Sequence, residues 1–255
     1  MKKSKGILGI DIGGTGIKLG ITDVTTGKLL TKRYKYLTPK PSTPEAVAQV
    51  IHTAMEEQFS DYKGIIGVGF PAIIKKGKAW SATNVDKSWY KKNIAKYFKK
   101  EFNTDIYVAN DADVAGFAEI NFGKSKVDKD GLIIFLTVGT GIGSAIFYEG
   151  QMIPNTELGH MLYKGDIYER YVSNVARKKA DLSWSEWGER FNGYLEHLDR
   201  LFSPDTVIIG GGISKKFSKY EDEIKVDYQV IPATLKNEAG VVGASVYAYS
   251  RSKKK

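Results

Sequence analysis

Asn110 and Asp111 are the residues of this chain best placed to do chemistry. Ile106 to Ala109 reads as a short apolar strand, and from Ala112 onward small residues with Val114, Phe117 and Ala118 read as a helix. The pair therefore sits where a strand's carboxyl end meets a helix N-terminus. A carboxylate there is favoured by the helix dipole, which keeps Asp111 ionised and able to accept a proton. The ordinary role of such a pair is capping, because Asn and Asp oxygens accept the orphan N–H groups of a first turn. Three glycine-rich turns elsewhere, each following a strand, raise the pair above a cap.

The first turn, Gly13-Gly14-Thr15-Gly16, follows the apolar run Gly6–Ile12 and leads into a second strand over Leu19–Thr22. Glycines let a backbone approach a ligand closely, and the exposed N–H groups of such a turn form an anion nest. Asp11 and Lys18 bracket it with opposite charges. The Gly-x-x-x-x-Gly-Lys-Ser/Thr spacing of a Walker A loop is absent. The second turn follows the strand Leu132–Thr137 and echoes the first, Gly139-Thr140-Gly141-Ile142 against Gly14-Thr15-Gly16-Ile17. That echo suggests two related halves, each offering a phosphate-binding hairpin; chance likeness between short glycine-rich turns is the alternative. Gly210-Gly211-Gly212-Ile213-Ser214 follows the strand Thr206–Ile209 as the third.

Other elements must hold these turns in place. Thr43-Pro44 opens a helix with Val47, Val50, Ile51 and Ala54 on one face, and His52 within it is a surface or packing residue. Ile65–Phe70 is a buried strand ended by Pro71, and Ser81–Trp89 is a loop rich in hydrogen-bonding groups. The spacing predicts a helix over roughly 90–102 with Ile94, Tyr97, Phe98 and Phe102 inward and Lys92, Lys96, Lys99 and Lys100 opposite. That basic stripe is a solvated face in the first instance and a polyanion track in the second. Asn155-Thr-Glu157-Leu-Gly-His160 falls in a loop. Ser183 and Glu186 form a capping box for a helix whose core face is Trp187, Phe191, Tyr194, Leu195 and Leu198. Small residues from Ala239 to Ala248 predict a closing helix packed tightly on its neighbours. Alternating strands and helices make this an α/β chain.

Composition narrows the classes. The 255 residues suffice for two domains, and 42% hydrophobic with 26% charged residues is ordinary for a globular protein. There is no cysteine, which excludes disulfides and thiolate metal sites, and only three histidines. The N-terminal Met-Lys-Lys-Ser-Lys has no signal-peptide character, and four glycines break the uncharged run Gly131–Tyr148, so a cytoplasmic protein is expected. The tail from Lys253 reads as disordered. A net charge of +9 suits a polyanionic partner, although lysines that merely solvate the surface account for most of it.

Taken in order, these motifs resemble the ROK family of sugar kinases and related repressors, from Gly9 to about Ala248. Asp11–Lys18 is similar to that family's first phosphate motif and Thr137–Ser144 to its second, while Gly210–Ser214 resembles the segment beside the nucleotide. Asn110-Asp111 matches the sugar-binding Asn and catalytic Asp, and Glu157-Leu-Gly-His160 resembles the element that holds sugar hydroxyls. Within the family, Ser81–Trp89, Pro154–His160 and Ser203–Lys215 read like the polyphosphate glucokinases. Two departures stand out: the Cys-rich zinc motif of many members is missing, and Phe70-Pro71-Ala72 has Ala where Gly is common.

The resemblance implies an actin-like (ribonuclease H-like) ATPase fold, two α/β lobes with the active site in the cleft between them. Residues 1–109 with 239–255 would form the small lobe and its returning helix, and 110–238 the large one. It implies phosphoryl transfer from polyphosphate, ATP or both to the 6-hydroxyl of glucose, or mannose, with Asp111 as base. Asn84, Asn110, Glu157, His160 and Glu169 would bind the sugar. Asp11, Gly13, Gly14, Thr15, Lys18, Thr137, Gly139, Thr140, Gly141, Gly210, Gly211 and Gly212 would serve the donor. Mg²⁺ would lie near Asp11, zinc would be absent, and a homodimer is the family expectation, without nucleic acid or membrane as partner. A strictly ATP-dependent glucokinase and a sugar-sensing repressor are the alternatives. The repressor would need a DNA-binding segment ahead of a first strand that starts by Gly6.

Overall fold

The computed structural model describes residues 6–125 and 127–253. The expectations for the N-terminal lysines and for the last two residues of the tail fall outside that range. The chain folds as two compact units, Met1–Phe122 with Glu238–Lys255, and Gly123–Asn237.

From its amino end the chain forms β1 (Gly6–Ile12), β2 (Gly16–Asp23), β3 (Lys28–Leu29), β4 (Tyr34–Leu37), α1 (Pro44–Gln58) and β5 (Ile66–Phe70). The short hairpin β6 (Ile74–Lys75) and β7 (Lys78–Ala79) follows, then α2 (Ile94–Phe102), β8 (Ile106–Asn110) and α3 (Asp111–Phe122). The second unit holds β9 (Leu132–Val138), β10 (Ile142–Tyr148), β11 (Gln151–Ile153), β12 (Leu162–Tyr163), β13 (Asp166–Ile167), α4 (Glu169–Val172) and α5 (Asn174–Lys179). It continues with α6 (Trp184–Phe202), β14 (Thr206–Gly211) and β15 (Gln229–Pro232), and α7 (Ala239–Ser252) returns to the first unit.

In the first unit the sheet order is β3-β2-β1-β5-β8, with β4 also paired to β2. β1 is antiparallel to β2 and parallel to β5, which is parallel to β8. Side chains alternate across such a sheet. Leu8, Ile10, Ile12, Ile66, Val68 and Phe70 therefore share one cluster with Val47, Ile51 and Ala54 of α1 and Ile94 and Phe98 of α2. The alternate positions face α7 with almost no side chain. A Cβ at Gly67 would lie 1.9 Å from the Ala244 carbonyl oxygen, and one at Gly243 would lie 1.7 Å from that of Val114. Backbone meets backbone there, which explains the small residues of α7. Because α3 is locked to α7 in this way, Asp111–Phe122 belongs to the first unit, whereas the expected boundary at 109 had put it in the second.

Two elements start three or more residues from where the sequence put them. The helix anticipated from residue 90 starts at Ile94, because the Asn93 side chain accepts the Lys96 N–H and caps it there. Residues 87–89 form instead a single turn capped by Asp86, with Trp89 fully buried. β2 begins at Gly16, not Leu19, since pairing with β1 runs through to Ile12 opposite Ile17.

The second unit repeats the pattern of the first: order β11-β10-β9-β14-β15, with β9 antiparallel to β10 and parallel to β14. The sequence echo thus lies at equivalent hairpins of two sheets built alike. α6 covers this sheet, started by the Ser183–Glu186 capping box and burying Trp187, Phe191, Tyr194, Leu195 and Leu198. Parallel strands end together, so each unit presents its turns along one sheet edge, where α/β folds place ligands.

Candidate active site

Along the edge of the first unit, Asp11 pairs with Gly69 and Phe70 with Asn110, which brings the first glycine turn, Pro71 and Asp111 to one side. Asn110 is buried and fulfils its capping role: its Oδ1 accepts the N–H groups of Ala112 (2.8 Å) and Asp113 (3.2 Å). Its Nδ2 donates to the Ala72 carbonyl at 3.1 Å, tying the Pro71 bend to α3. The alanine that departs from the family pattern thus makes a backbone contact to Asn110. Asp111 is the first residue of α3, half-buried, and its Oδ1 accepts the Ala112 N–H at 2.9 Å.

The first glycine turn is closed on itself. Gly13 N–H donates to Gly16 O (3.1 Å), and the Thr38 hydroxyl donates to Gly13 O (2.5 Å). Gly14 and Thr15 are exposed, so their N–H groups, rather than that of Gly13, are the ones positioned to meet an anion. Lys18 Nζ contacts Asp11 Oδ2 at 2.6 Å. Asp11 is buried and packs against Gly240, where a Cβ would come within 2.6 Å of its Cγ. Asn84 is exposed on a loop that reaches this turn, its carbonyl 3.5 Å from where a Gly14 Cβ would be. The loop is pinned by Trp89, whose indole N–H donates to Ser42 O at 2.8 Å.

In the second unit, Gly139 N–H donates to Gly141 O at 2.9 Å, leaving Thr140 exposed at the tip. Gly210 and Gly211 pair with Thr137 and Val138, so the second and third glycine turns are neighbours. Gly211 has φ 77° and ψ −166°, a conformation essentially reserved for glycine, and a Cβ would lie 2.5 Å from Val138 O.

Glu157, His160 and Glu169 come together beside that turn. His160 Nδ1 is 3.7 Å from Glu157 Oε2, and its Nε2 is 3.9 Å from Glu169 Oε1. Ser144 hangs their loop from β10: its hydroxyl donates to Thr156 O (2.7 Å) and accepts the Leu158 N–H (3.0 Å). Neither that role of Ser144 nor the Thr38 contact had a signal in the sequence, since each depends on a partner distant along the chain. Glu169 is held by the second glycine turn, accepting the Ile142 N–H through Oε2 at 2.9 Å.

Burial raises the Glu157 pKa, helped by the neighbouring Glu169 charge and opposed by His160. A carboxylate whose folded pKa is raised makes the protein less stable as pH climbs from its unfolded value through its folded one. Glu157→Gln is therefore expected to melt higher than wild type at neutral pH. The gap should close below the usual carboxylate range, where Glu157 is protonated in both states. Melting curves at pH 3 and pH 7.5 check this, and an unchanged or lowered melting temperature at pH 7.5 would contradict it.

The lysine stripe is not the uniform face its spacing suggested. Lys92 precedes α2, lies over the Tyr97 ring (4.7 Å) and faces Glu45 (3.8 Å). Lys99 is paired with Asp105 at 2.7 Å, leaving Lys96 and Lys100 exposed. His52 packs on Phe102 and lies 3.6 Å from Glu101, a packing role as expected. Among the described residues, no group of three or more His, Cys, Asp or Glu could hold a metal ion, and no helix is long and apolar enough to cross a membrane.

Residues 7–169 match the model of the ROK family, more than half of the chain. The chain belongs to the ROK family. A polyphosphate glucokinase of Mycobacterium tuberculosis (strain CDC 1551 / Oshkosh) is 40% identical to this ROK protein, over 93% of this chain and 89% of that one. The solved inorganic polyphosphate/ATP-glucomannokinase of Arthrobacter sp. strain KM superposes with a TM-score of 0.89 at 41% identity, covering 96% of this chain and 99% of the other. Its relatives share the actin-like ATPase fold. A ROK family transcriptional regulator matches with a TM-score of 0.77 at only 16% identity, which shows the fold alone.

Proposed function

We propose that this ROK protein is a glucokinase that moves a phosphoryl group from inorganic polyphosphate, ATP or both to the 6-hydroxyl of glucose, with mannose a second acceptor. The observation that carries the reading is the clustering of Glu157, His160 and Glu169 against the second glycine turn, a hydroxyl-binding set beside an anion nest. The names borne by the mycobacterial and Arthrobacter relatives support the same donor and acceptor classes. The enzyme acts in the cytoplasm as a homodimer on this reading.

Asp111 accepts the proton of the sugar 6-hydroxyl as its oxygen bonds to the terminal phosphorus, and the shortened polyphosphate or ADP departs. Phosphoryl transfer runs through a loose transition state, so aiming the hydroxyl in line matters at least as much as basicity. Asn84, Asn110, Glu157, His160 and Glu169 engage the sugar hydroxyls. The N–H groups of Gly14, Thr15, Thr140 and Gly141 meet the donor phosphates, with the flanking Gly13, Gly139 and Thr137 shaping the turns and Gly210–Gly212 lying alongside. Lys18, paired with Asp11, sets the charge of the first turn.

Asp11, paired with Lys18, is the one carboxylate that would hold a Mg²⁺ brought in with the donor. When bound with the donor, Mg²⁺ neutralises phosphate charge; the residues above do the orienting. Lys215, Lys216 and Lys219, exposed just after the third glycine turn and in no ion pair among the described residues, give a long polyanion further cations to meet. Rising salt is therefore expected to depress the polyphosphate-driven rate more steeply than the ATP-driven one, because more counterions are released by the longer anion. Equal salt slopes for the two donors would remove polyphosphate electrostatics from the account. Coupled detection of glucose 6-phosphate with each donor tests the function itself.

A further inference from the structure

Glu169 is committed in two directions, and the second is not explained by holding a sugar. Oε1 faces His160, within the hydroxyl-binding cluster, while Oε2 accepts the N–H of Ile142, the residue that ends the second glycine turn. The turn is shaped for this contact: a Cβ at Gly141 would lie 2.4 Å from Oε2, so any larger residue there displaces the carboxylate. The carbonyl of the same Ile142 is covered from the other side by Gly159, where a Cβ would come within 2.5 Å of it. One residue of the donor turn is thus hydrogen-bonded at its N–H by Glu169 and closely approached at its C=O by Gly159, in the loop that carries Glu157 and His160.

Ile142 is buried, and a buried N–H left without an acceptor is costly, so the Glu169 contact persists only while the carboxylate stays in place. With the Gly139 N–H also closed onto Gly141 O, the directions of the Thr140 and Gly141 N–H groups are set by these two bonds. Resting on the sugar-kinase reading above, we infer that Glu169 is a positioning residue that couples the donor turn to the hexose site. A sugar that fixes the carboxylate also fixes the turn, and a donor that fixes the turn also fixes the carboxylate. Such coupling is reciprocal by thermodynamic necessity.

Calorimetric titration of glucose, with and without the Mg²⁺ complex of β,γ-imido ATP, reads this directly on wild type, Gly141→Ala, Glu169→Gln and Glu169→Ala. Wild type is expected to bind glucose about 5-fold or more tightly when the analogue is present, the lower end of common coupling factors. Gly141→Ala lies in the donor turn and changes no sugar-binding residue, but its methyl pushes the Glu169 carboxylate off the Ile142 N–H, so it should weaken glucose and bring the coupling factor close to one. Glu169→Ala should weaken the analogue as well as glucose, and Glu169→Gln, whose amide oxygen can still accept the Ile142 N–H, should restore analogue affinity. Circular dichroism and melting curves establish that each variant is folded, and the two Glu169 variants carry the test if Gly141→Ala does not fold. The inference is overturned if wild type shows no coupling, if Gly141→Ala leaves glucose affinity intact, or if Glu169→Ala affects glucose alone. Failure of the sugar-kinase reading looks different: wild type then makes no glucose 6-phosphate from either donor.

Discussion

Asp111→Asn is expected to lower kcat by about 10²–10⁴-fold, the range for losing a positioned general base, and to leave hexose affinity near wild type. Asn keeps the shape of the side chain and an oxygen to accept the Ala112 N–H, so the first turn of α3 is retained. Asn110, which carries the cap and the tie to Ala72, is untouched. What is removed is the charge. Loss of its favourable interaction with the helix dipole costs about 0.3–1 kcal/mol of stability, too little to unfold the protein. A fall in kcat with unchanged glucose affinity therefore reports on proton transfer and aim, not on folding or binding. Near wild-type turnover by Asp111→Asn would require a different base.

Gly243→Ala is expected to destabilise the first unit by at least about 1–3 kcal/mol, the usual cost of overpacking a filled interior. The added methyl would start 1.7 Å from the Val114 carbonyl oxygen, and the obstacle is backbone, which has no rotamer to change. Relief requires α3 and α7 to separate. Val114 is one turn into α3 and Asp111 is its first residue, so the shift that relieves the clash also re-aims the carboxylate. Both melting temperature and kcat should fall in Gly243→Ala, whereas Gly193→Ala, where a Cβ meets nothing within 4 Å, should melt like wild type or slightly higher. A wild-type melting temperature for Gly243→Ala would show that the α3–α7 contact is looser than described.

Much of the fold could be read locally. Thr43 and the Ser183–Glu186 box start helices where their side chains said they would, because a cap and its target N–H are three residues apart. The apolar runs of β1, β5 and β9 became the buried central strands for a similarly local reason. The failures share the opposite cause. α2 starts at Ile94 because Asn93 caps it there, and the residues before it are held apart by Trp89, buried and bonded to Ser42 O 47 residues earlier, which no helical period encodes. The lysine stripe lost two members to Glu45 and Asp105, neither of which the spacing takes into account. The contact that fixes Glu169 had no signal in the sequence, because its partner is a backbone N–H 27 residues upstream. Small residues in α7 signalled close packing, but the partners, Gly67 and Val114, were visible only once the sheet was assembled.

The most direct measurement is glucose 6-phosphate formation by wild type and Asp111→Asn in parallel, each with Mg²⁺ and with polyphosphate or ATP as donor. Turnover by wild type is expected with polyphosphate, ATP or both, and near-silence from Asp111→Asn with whichever donor is used. Turnover with ATP alone would leave a glucokinase and reduce the basic surface to solvation. No product from wild type with either donor would contradict the account and point to a ROK sugar sensor.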